Sequence, residues 1–244
     1  MGIELMFEAG LNYFTDKNTE DALYQQINIA NFLTIDRDLK SYEYDDLFNL
    51  ISFKKRSRVI QYRFFKDAQR AILSEIIIRL LIHKVLNIPN DKIHFNANIY
   101  GKPFLENYDE FHFNISHTDH YVVCVLGKSP VGIDIEAILP IDLRIMNRFF
   151  SNEETQFVLG HPNKERLVAF YNIWTMKESY VKYIGKGLSI PFNTFNIQNK
   201  ADDIILHRLH FLENVICHVC TQSIKKPIIN QLSVNSLLRD VYYG

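Results

Sequence analysis

Two long stretches of helical character, near residues 67–86 and 164–184, stand out in a chain whose other apolar segments are short. In the first, Ala68, Ile72, Ile76 and Leu80 recur at steps of four, which places them on one face of a helix. Pro89 lies just beyond its end, and Asp67 stands where a capping residue is expected. The second stretch runs up to Gly185 and Gly187, residues suited to stopping a helix. Strand-like segments lie around them, at residues 3–8, 111–115, 121–126 and 131–136, and short strands and turns follow from about residue 193. Residues 127–130, Gly-Lys-Ser-Pro, form a turn-rich break. Each half of the chain therefore holds a β-rich portion and one long helix, with the seam at that break.

Net charge narrows the choice of partner. At −1 over 244 residues, the chain has no surface-wide positive field. Phosphate recognition must then be local, and no nucleic-acid partner is expected. The most apolar run, residues 71–86, is interrupted by Glu75, Arg79 and His83, so no membrane span is expected. Glu4 and Glu8 sit where a secretory signal needs a basic end and an apolar run. Met6 breaks the myristoylation pattern that Gly2 would begin. Three cysteines, an odd and modest number, fit a reducing compartment, and the expected location is cytoplasmic. Cys217-His-Val-Cys220 matches C-x-x-C, but in a strand its sulfurs point to opposite faces, and no second pair completes a zinc site.

The chemistry concentrates in two short stretches. In Val131-Gly-Ile-Asp-Ile-Glu136, strand alternation puts Asp134 and Glu136 on one face and Ile133 and Ile135 on the other. In Trp174-Thr-Met-Lys-Glu-Ser-Tyr-Val-Lys182, helical steps of four align Trp174, Glu178 and Lys182. If the helix lies on the strand, three carboxylates meet, and such a cluster needs a cation. Hard oxygen ligands with room for water suit Mg²⁺. A basic group lies elsewhere: Lys54, Lys55, Arg56 and Arg58 in one run, Arg70 at the start of an apolar helix, Lys102 in a Gly-Lys-Pro turn, and Ser116-His117 at a strand end. Taken singly, each has an ordinary reading as a solvated strand face, a helix salt bridge or a surface charge run.

Taken together, these residues resemble the 4′-phosphopantetheinyl transferases of the larger, two-lobed type that activates peptide and polyketide synthetases, the Sfp type. Val131–Glu136 and Trp174–Lys182 carry the resemblance, supported by Tyr100-Gly-Lys-Pro103, Phe113-Asn-Ile-Ser-His117 and Asp67-Ala-Gln-Arg70. The motifs run in order from Ser52 to Pro191, and the first and last fifty residues carry almost none. The resemblance implies an α+β (mixed α/β) pseudo-dimer within one chain: two similar lobes, residues 1–127 and 128–244, each a small antiparallel sheet packed on a long helix. A monomer is expected.

It also implies transfer of 4′-phosphopantetheine from coenzyme A to a serine of an apo peptidyl or acyl carrier protein, with release of adenosine 3′,5′-bisphosphate. Asp134, Glu136 and Glu178 would hold Mg²⁺, Glu178 would take the serine proton, and Lys182 would hold phosphate oxygens. Lys55, Arg58 and Arg70 would line the 3′-phosphate and adenine end, with Lys54 the rival to Lys55, while Lys102, Ser116 and His117 would contact the phosphates. The residues between 139 and 150, with Leu143, Met146, Phe149 and Phe150, would face the carrier or form the core of a short helix. The role of Lys177 stays open, because it points about 100° away from Glu178 around the helix. Two other readings share these residues: a Mg²⁺-dependent phosphohydrolase or nuclease, and a non-catalytic module that binds coenzyme A or a nucleotide.

Overall fold

A computed structural model describes residues 28–199, 203–210 and 213–243. The strand expected at residues 3–8 lies outside them. Among the described residues there are nine strands and seven α-helices. The first half holds β1 (Asn28–Thr34), α1 (Ser41–Leu50), α2 (Phe53–Val59), α3 (Phe65–Leu86), β2 (Phe95–Ala97), β3 (Pro103–Leu105), β4 (His112–His117) and β5 (Tyr121–Gly127). The second holds β6 (Gly132–Ala137), α4 (Met146–Phe149), α5 (Asn152–Gly160), α6 (Asn163–Ile184), β7 (Ile205–Leu209), β8 (Val215–Thr221), β9 (Ile228–Ser233) and α7 (Val234–Tyr243). The fold class is α+β, as the sequence indicates.

Both long helices form. Helix α6 ends at Gly185, whose φ of 74° supplies the left-handed turn that stops it. Helix α3 starts earlier than expected, at Phe65, with no side-chain cap on its first turn. Asp67 therefore lies inside the first turn rather than capping it, where its charge suits the helix dipole and pairs with Arg70. Asn87 closes α3 at φ 51°.

The elements stack in four layers. The first sheet has the strand order β4-β5-β1-β9, and the second β6-β8-β7; β2 and β3 form a separate ribbon. One face of the first sheet, through Leu33, Phe113, Val122 and Cys124, packs on Ile72, Ile76 and Leu80 of α3. Its other face, through Ala30, Phe32, Val123 and Val125, packs on Ile133, Ile135, Cys217 and Val219 of the second sheet. The far side of the second sheet carries Ile216 against Phe170 and Ile173 of α6. The order is thus α3, sheet, sheet, α6. Each fully buried Ile, Leu or Phe in these layers contributes about 1.5–3 kcal/mol. Helix α3 is buried on nearly every side because α1, α2 and α7 cover the face turned from the sheet.

One part of the expected division fails. Strand β9 pairs in parallel with β1, and α7 packs Leu237, Leu238 and Val241 into the core around α3. Residues 228–243 thus belong with the first sheet, not with the acid-bearing half. The cause is burial: α7 has a strongly one-sided apolar face, and the flank of α3 is where that face is covered. Cys217 and Cys220 do lie on opposite faces of β8, and all three cysteines are free thiols.

Candidate active site

The site begins with a missing side chain. A Cβ at Gly132 would collide with the carbonyl oxygen of Ser179 and the backbone nitrogen of Tyr183. With glycine there, the backbone of α6 rests directly on β6. The strand also brings Asp134 opposite His218 of β8, and Thr175 of α6 meets His218 Nδ1 at 2.7 Å, a buried polar tie between helix and sheet.

Asp134 is 3% exposed. Its Oδ1 accepts from Lys182 Nζ at 2.6 Å and from Ser116 Oγ at 2.9 Å, and Lys182 Nζ also donates to Ser116 Oγ at 3.0 Å. Its Oδ2 is buried with no hydrogen-bond partner. A carboxylate oxygen in that state is costly unless something positive meets it. Glu136, on the same face of β6, accepts from Trp174 Nε1 at 3.2 Å. Burial, and then the charge of Asp134, push its pKa up to about 7, against the opposing effects of Trp174 and Lys182. Burial and Asp134 also raise Glu178, with Lys182 opposing. The charge of Asp134 thus acts on both glutamates.

The donor set fits a hard divalent cation: three carboxylates, one with an orphaned buried oxygen. Among the described residues, however, no three such side chains already surround a point where an ion would sit. Glu136 is turned to the indole and Asp134 Oδ1 to the lysine.

The basic residues divide into two groups. Lys54, Lys55 and Arg58 line a cavity of about 290 Å³ with Ser74, Glu75, Phe95, Gly101, Pro103 and Ile115. Helix α2 is seated there by Ser52, which caps it and bonds to Glu75 through Oγ at 3.2 Å and backbone N–H at 2.6 Å. Both lysines line the cavity, Lys55 being the more enclosed. Burial lowers the Lys55 pKa, Glu75 partly offsets this, and Arg58 lowers it further. A larger cavity, about 910 Å³, opens between residues 49–56 and 79–95, away from the carboxylates.

His117 links the two sides. It is exposed at the end of β4, yet packing around its ring, then Arg70, Lys182 and Lys55, hold its pKa below the usual imidazole value. Arg70 is itself paired with Asp67 and, at 2.7 Å, with Asp119. Arg70 lines a separate cavity together with Asp67 and Asp119, while Lys182, Ser116 and His117 form one group beside Asp134.

Lys102 does not join it. Its Nζ donates to the carbonyls of Val131 at 3.0 Å and Tyr183 at 3.2 Å. Burial pushes its pKa down to about 8. The turn that carries it is held by Asn98, whose Oδ1 accepts from the backbones of Tyr100 and Lys102 and whose Nδ2 donates to Gly185. Lys102 fastens this turn to the end of α6, and the turn lines the cavity through Gly101 and Pro103 instead. In the segment after β6, Met146 and Phe150 are core, while Leu139 and Ile141 are exposed. Phe149 packs edge-on against Trp174 at 5.4 Å. Sequence reading gave no role to Glu154, which the structure buries against Lys177; a lone glutamate after Ser151 reads only as part of a helix cap.

Comparison with known proteins covers both halves of this site. Residues 130–232 match the family model of the 4′-phosphopantetheinyl transferase superfamily, and residues 39–128 match that of the 4′-phosphopantetheinyl transferase N-terminal region. The chain is 36% identical over 219 residues to 4′-phosphopantetheinyl transferase gsp of Aneurinibacillus migulanus, covering 84% of this chain and 92% of that protein. It is 41% identical over 152 residues to 4′-phosphopantetheinyl transferase psf-1 of Bacillus pumilus, covering 62% of this chain and 65% of that one. With 4′-phosphopantetheinyl transferase Sfp of Bacillus subtilis (strain 168) the identity is 36% over 168 residues, 69% of this chain and 75% of that one.

Proposed function

The chain belongs to the 4′-phosphopantetheinyl transferases, of the Sfp type, and from that premise we propose that it moves the phosphopantetheine arm of coenzyme A onto a serine of an apo peptidyl or acyl carrier protein. The observation that carries this reading is Asp134, with one oxygen held by Lys182 and Ser116 and the other buried and unmet beside two glutamates of raised pKa.

Asp134, Glu136 and Glu178 would hold Mg²⁺, which when bound neutralises the pyrophosphate and the charge that grows on the leaving phosphate. The remaining work falls to the chain's own side chains. Lys55 and Arg58 receive the 3′-phosphate end in their cavity, and Lys54 flanks it. Arg70 and His117 supply further donors, and Ser116 and Lys182 hold the oxygens of the reacting phosphate. Glu178 takes the proton from the carrier serine. The serine oxygen then bonds to the pantetheine-bearing phosphorus, the bond from that phosphorus to the bridging oxygen breaks, and adenosine 3′,5′-bisphosphate leaves. In this reading the described residues up to 127 line the 3′-phosphate end, and those after 128 supply the acids and Lys182.

The protein would act as a monomer in the cytoplasm, where its three buried thiols stay reduced. Among the described residues no helix is long and apolar enough to cross a membrane.

The deciding experiment incubates the protein with coenzyme A, Mg²⁺ and an apo carrier and weighs the carrier. One covalent phosphopantetheine per carrier domain is expected, with loss of about a hundredfold or more in rate for Glu178→Gln. Release of nucleotide or phosphate without an acceptor would instead make it a phosphohydrolase. Binding of coenzyme A that ignores chelators, with no turnover, would make it a binding module. Full activity of Glu178→Gln would remove that residue from the chemistry.

A further inference from the structure

Lys177 lies next to Glu178 in sequence, and the structure encloses it completely: its side chain and that of Glu154 are both 0% exposed. Lys177 Nζ donates to the Glu154 oxygens at 2.8 and 2.6 Å and to the carbonyl of Phe195 at 2.7 Å. It also sits 4.2 Å from the centroid of the Phe195 ring. The same carboxylate accepts from the backbone nitrogens of Ser151 at 2.8 Å and Ile197 at 2.7 Å. One ion pair therefore ties together the middle of α6, the start of α5 and the turn at residues 195–197.

What that knot holds matters for the site. Phe192 packs 5.8 Å from Trp174, and Phe195 packs 5.3 Å from Tyr180. Trp174 in turn holds Glu136. Successive helical residues are about 100° apart, so a lysine anchored on the buried flank of α6 fixes the direction in which Glu178 leaves the helix. Lys182, one turn on from Glu178, is fixed with it.

We propose that Lys177 and Glu154 act together as positioning residues, their buried ion pair setting the rotation of α6 that turns Glu178 and Lys182 towards Asp134 and keeping the aromatic ring cluster around Trp174 closed. This rests on the transferase reading of the site. A buried ion pair kept only for stability is replaceable by apolar residues of similar volume, whereas breaking it by removing one partner leaves an uncompensated charge. A pair that sets aim is not replaceable in that way.

The test compares Lys177→Met, Glu154→Leu and the double variant with the wild-type protein. Readouts are melting temperature, carrier-modification kinetics, Mg²⁺ requirement and the emission of Trp174, the single tryptophan of the chain. Each single variant should melt earlier. The double variant should regain the melting temperature yet keep a kcat lowered by about tenfold or more, a raised Mg²⁺ requirement, an unchanged KM for coenzyme A and a shifted Trp174 emission. If the double variant does not fold, Lys177→Gln combined with Glu154→Gln, which removes both charges and keeps both side chains polar, serves for the same comparison. Recovery of kcat and emission together with stability would overturn the proposal, leaving the pair a stabilising contact only. A several-fold rise in KM for coenzyme A in Lys177→Met, with Glu154→Leu silent, would overturn it by placing Lys177 on the substrate. Trp174 emission is read without substrate, so it tests the pair even if Glu178→Gln shows the transferase reading of the site to be wrong.

Discussion

Two lysines that sequence motifs treat alike have opposite surroundings. Lys182 reaches a carboxylate and a hydroxyl, whereas Lys102 spends its hydrogens on two backbone carbonyls. Lys102→Met should therefore cost about 1–2 kcal/mol of stability, seen as a lower melting temperature, and leave KM for coenzyme A within about twofold of wild type. A tenfold rise in KM would return the amine to the phosphates. His117 makes a pH-dependent prediction. Burial of its ring, and then its neighbours Arg70, Lys182 and Lys55, disfavour the imidazolium in the free protein, so its pKa lies below the usual 6.5. A bound phosphate offsets those cations and raises the pKa, so binding takes up a proton. Affinity for adenosine 3′,5′-bisphosphate should then fall as pH rises through the raised, ligand-bound value. Calorimetry in two buffers of different ionisation enthalpy should detect the uptake, and His117→Asn should abolish it.

At the level of elements, the pairing of β6 with α6 is the core of the site, and Gly132 is what lets it form. Gly132→Ala forces the helix backbone off the strand. It should lower stability by about 1–3 kcal/mol and reduce kcat far more than a surface alanine would, measured by thermal melting and carrier modification. Much of this pairing was legible beforehand. The alternation in residues 131–136 and the four-residue steps of Trp174, Glu178 and Lys182 are local patterns, and both elements form within a residue or two of their expected limits. The start of α3 was not legible, because Phe64 has no capping group to announce it. The direction of Lys102 was not legible either: it depends on carbonyls 29 and 81 residues away. Glu154 was missed for the same reason, its partner lying 23 residues along the chain.

Across the whole molecule, the two sheets share one apolar layer, so the lysine-lined side and the acid-bearing side cannot slide independently without exposing Phe32, Ile133 and Val219. The first sheet also depends on residues 228–243. Deleting them removes the parallel neighbour of β1 and uncovers the flank of α3, where Leu237 and Val241 are 0 and 1% exposed. The truncated protein should be insoluble or lack a cooperative melt, even though it keeps every residue assigned to the site. A soluble truncated protein with normal carrier modification would show the tail to be dispensable.

The partnership of β1 with β9 has a temporal side as well. Asn31 and Asn230, bonded to one another, lie 199 positions apart. In chain order the acid-bearing sheet has all three of its strands by Thr221, while the sheet begun by β1 takes its edge strand only at Ile228–Ser233. The half made first is thus finished last.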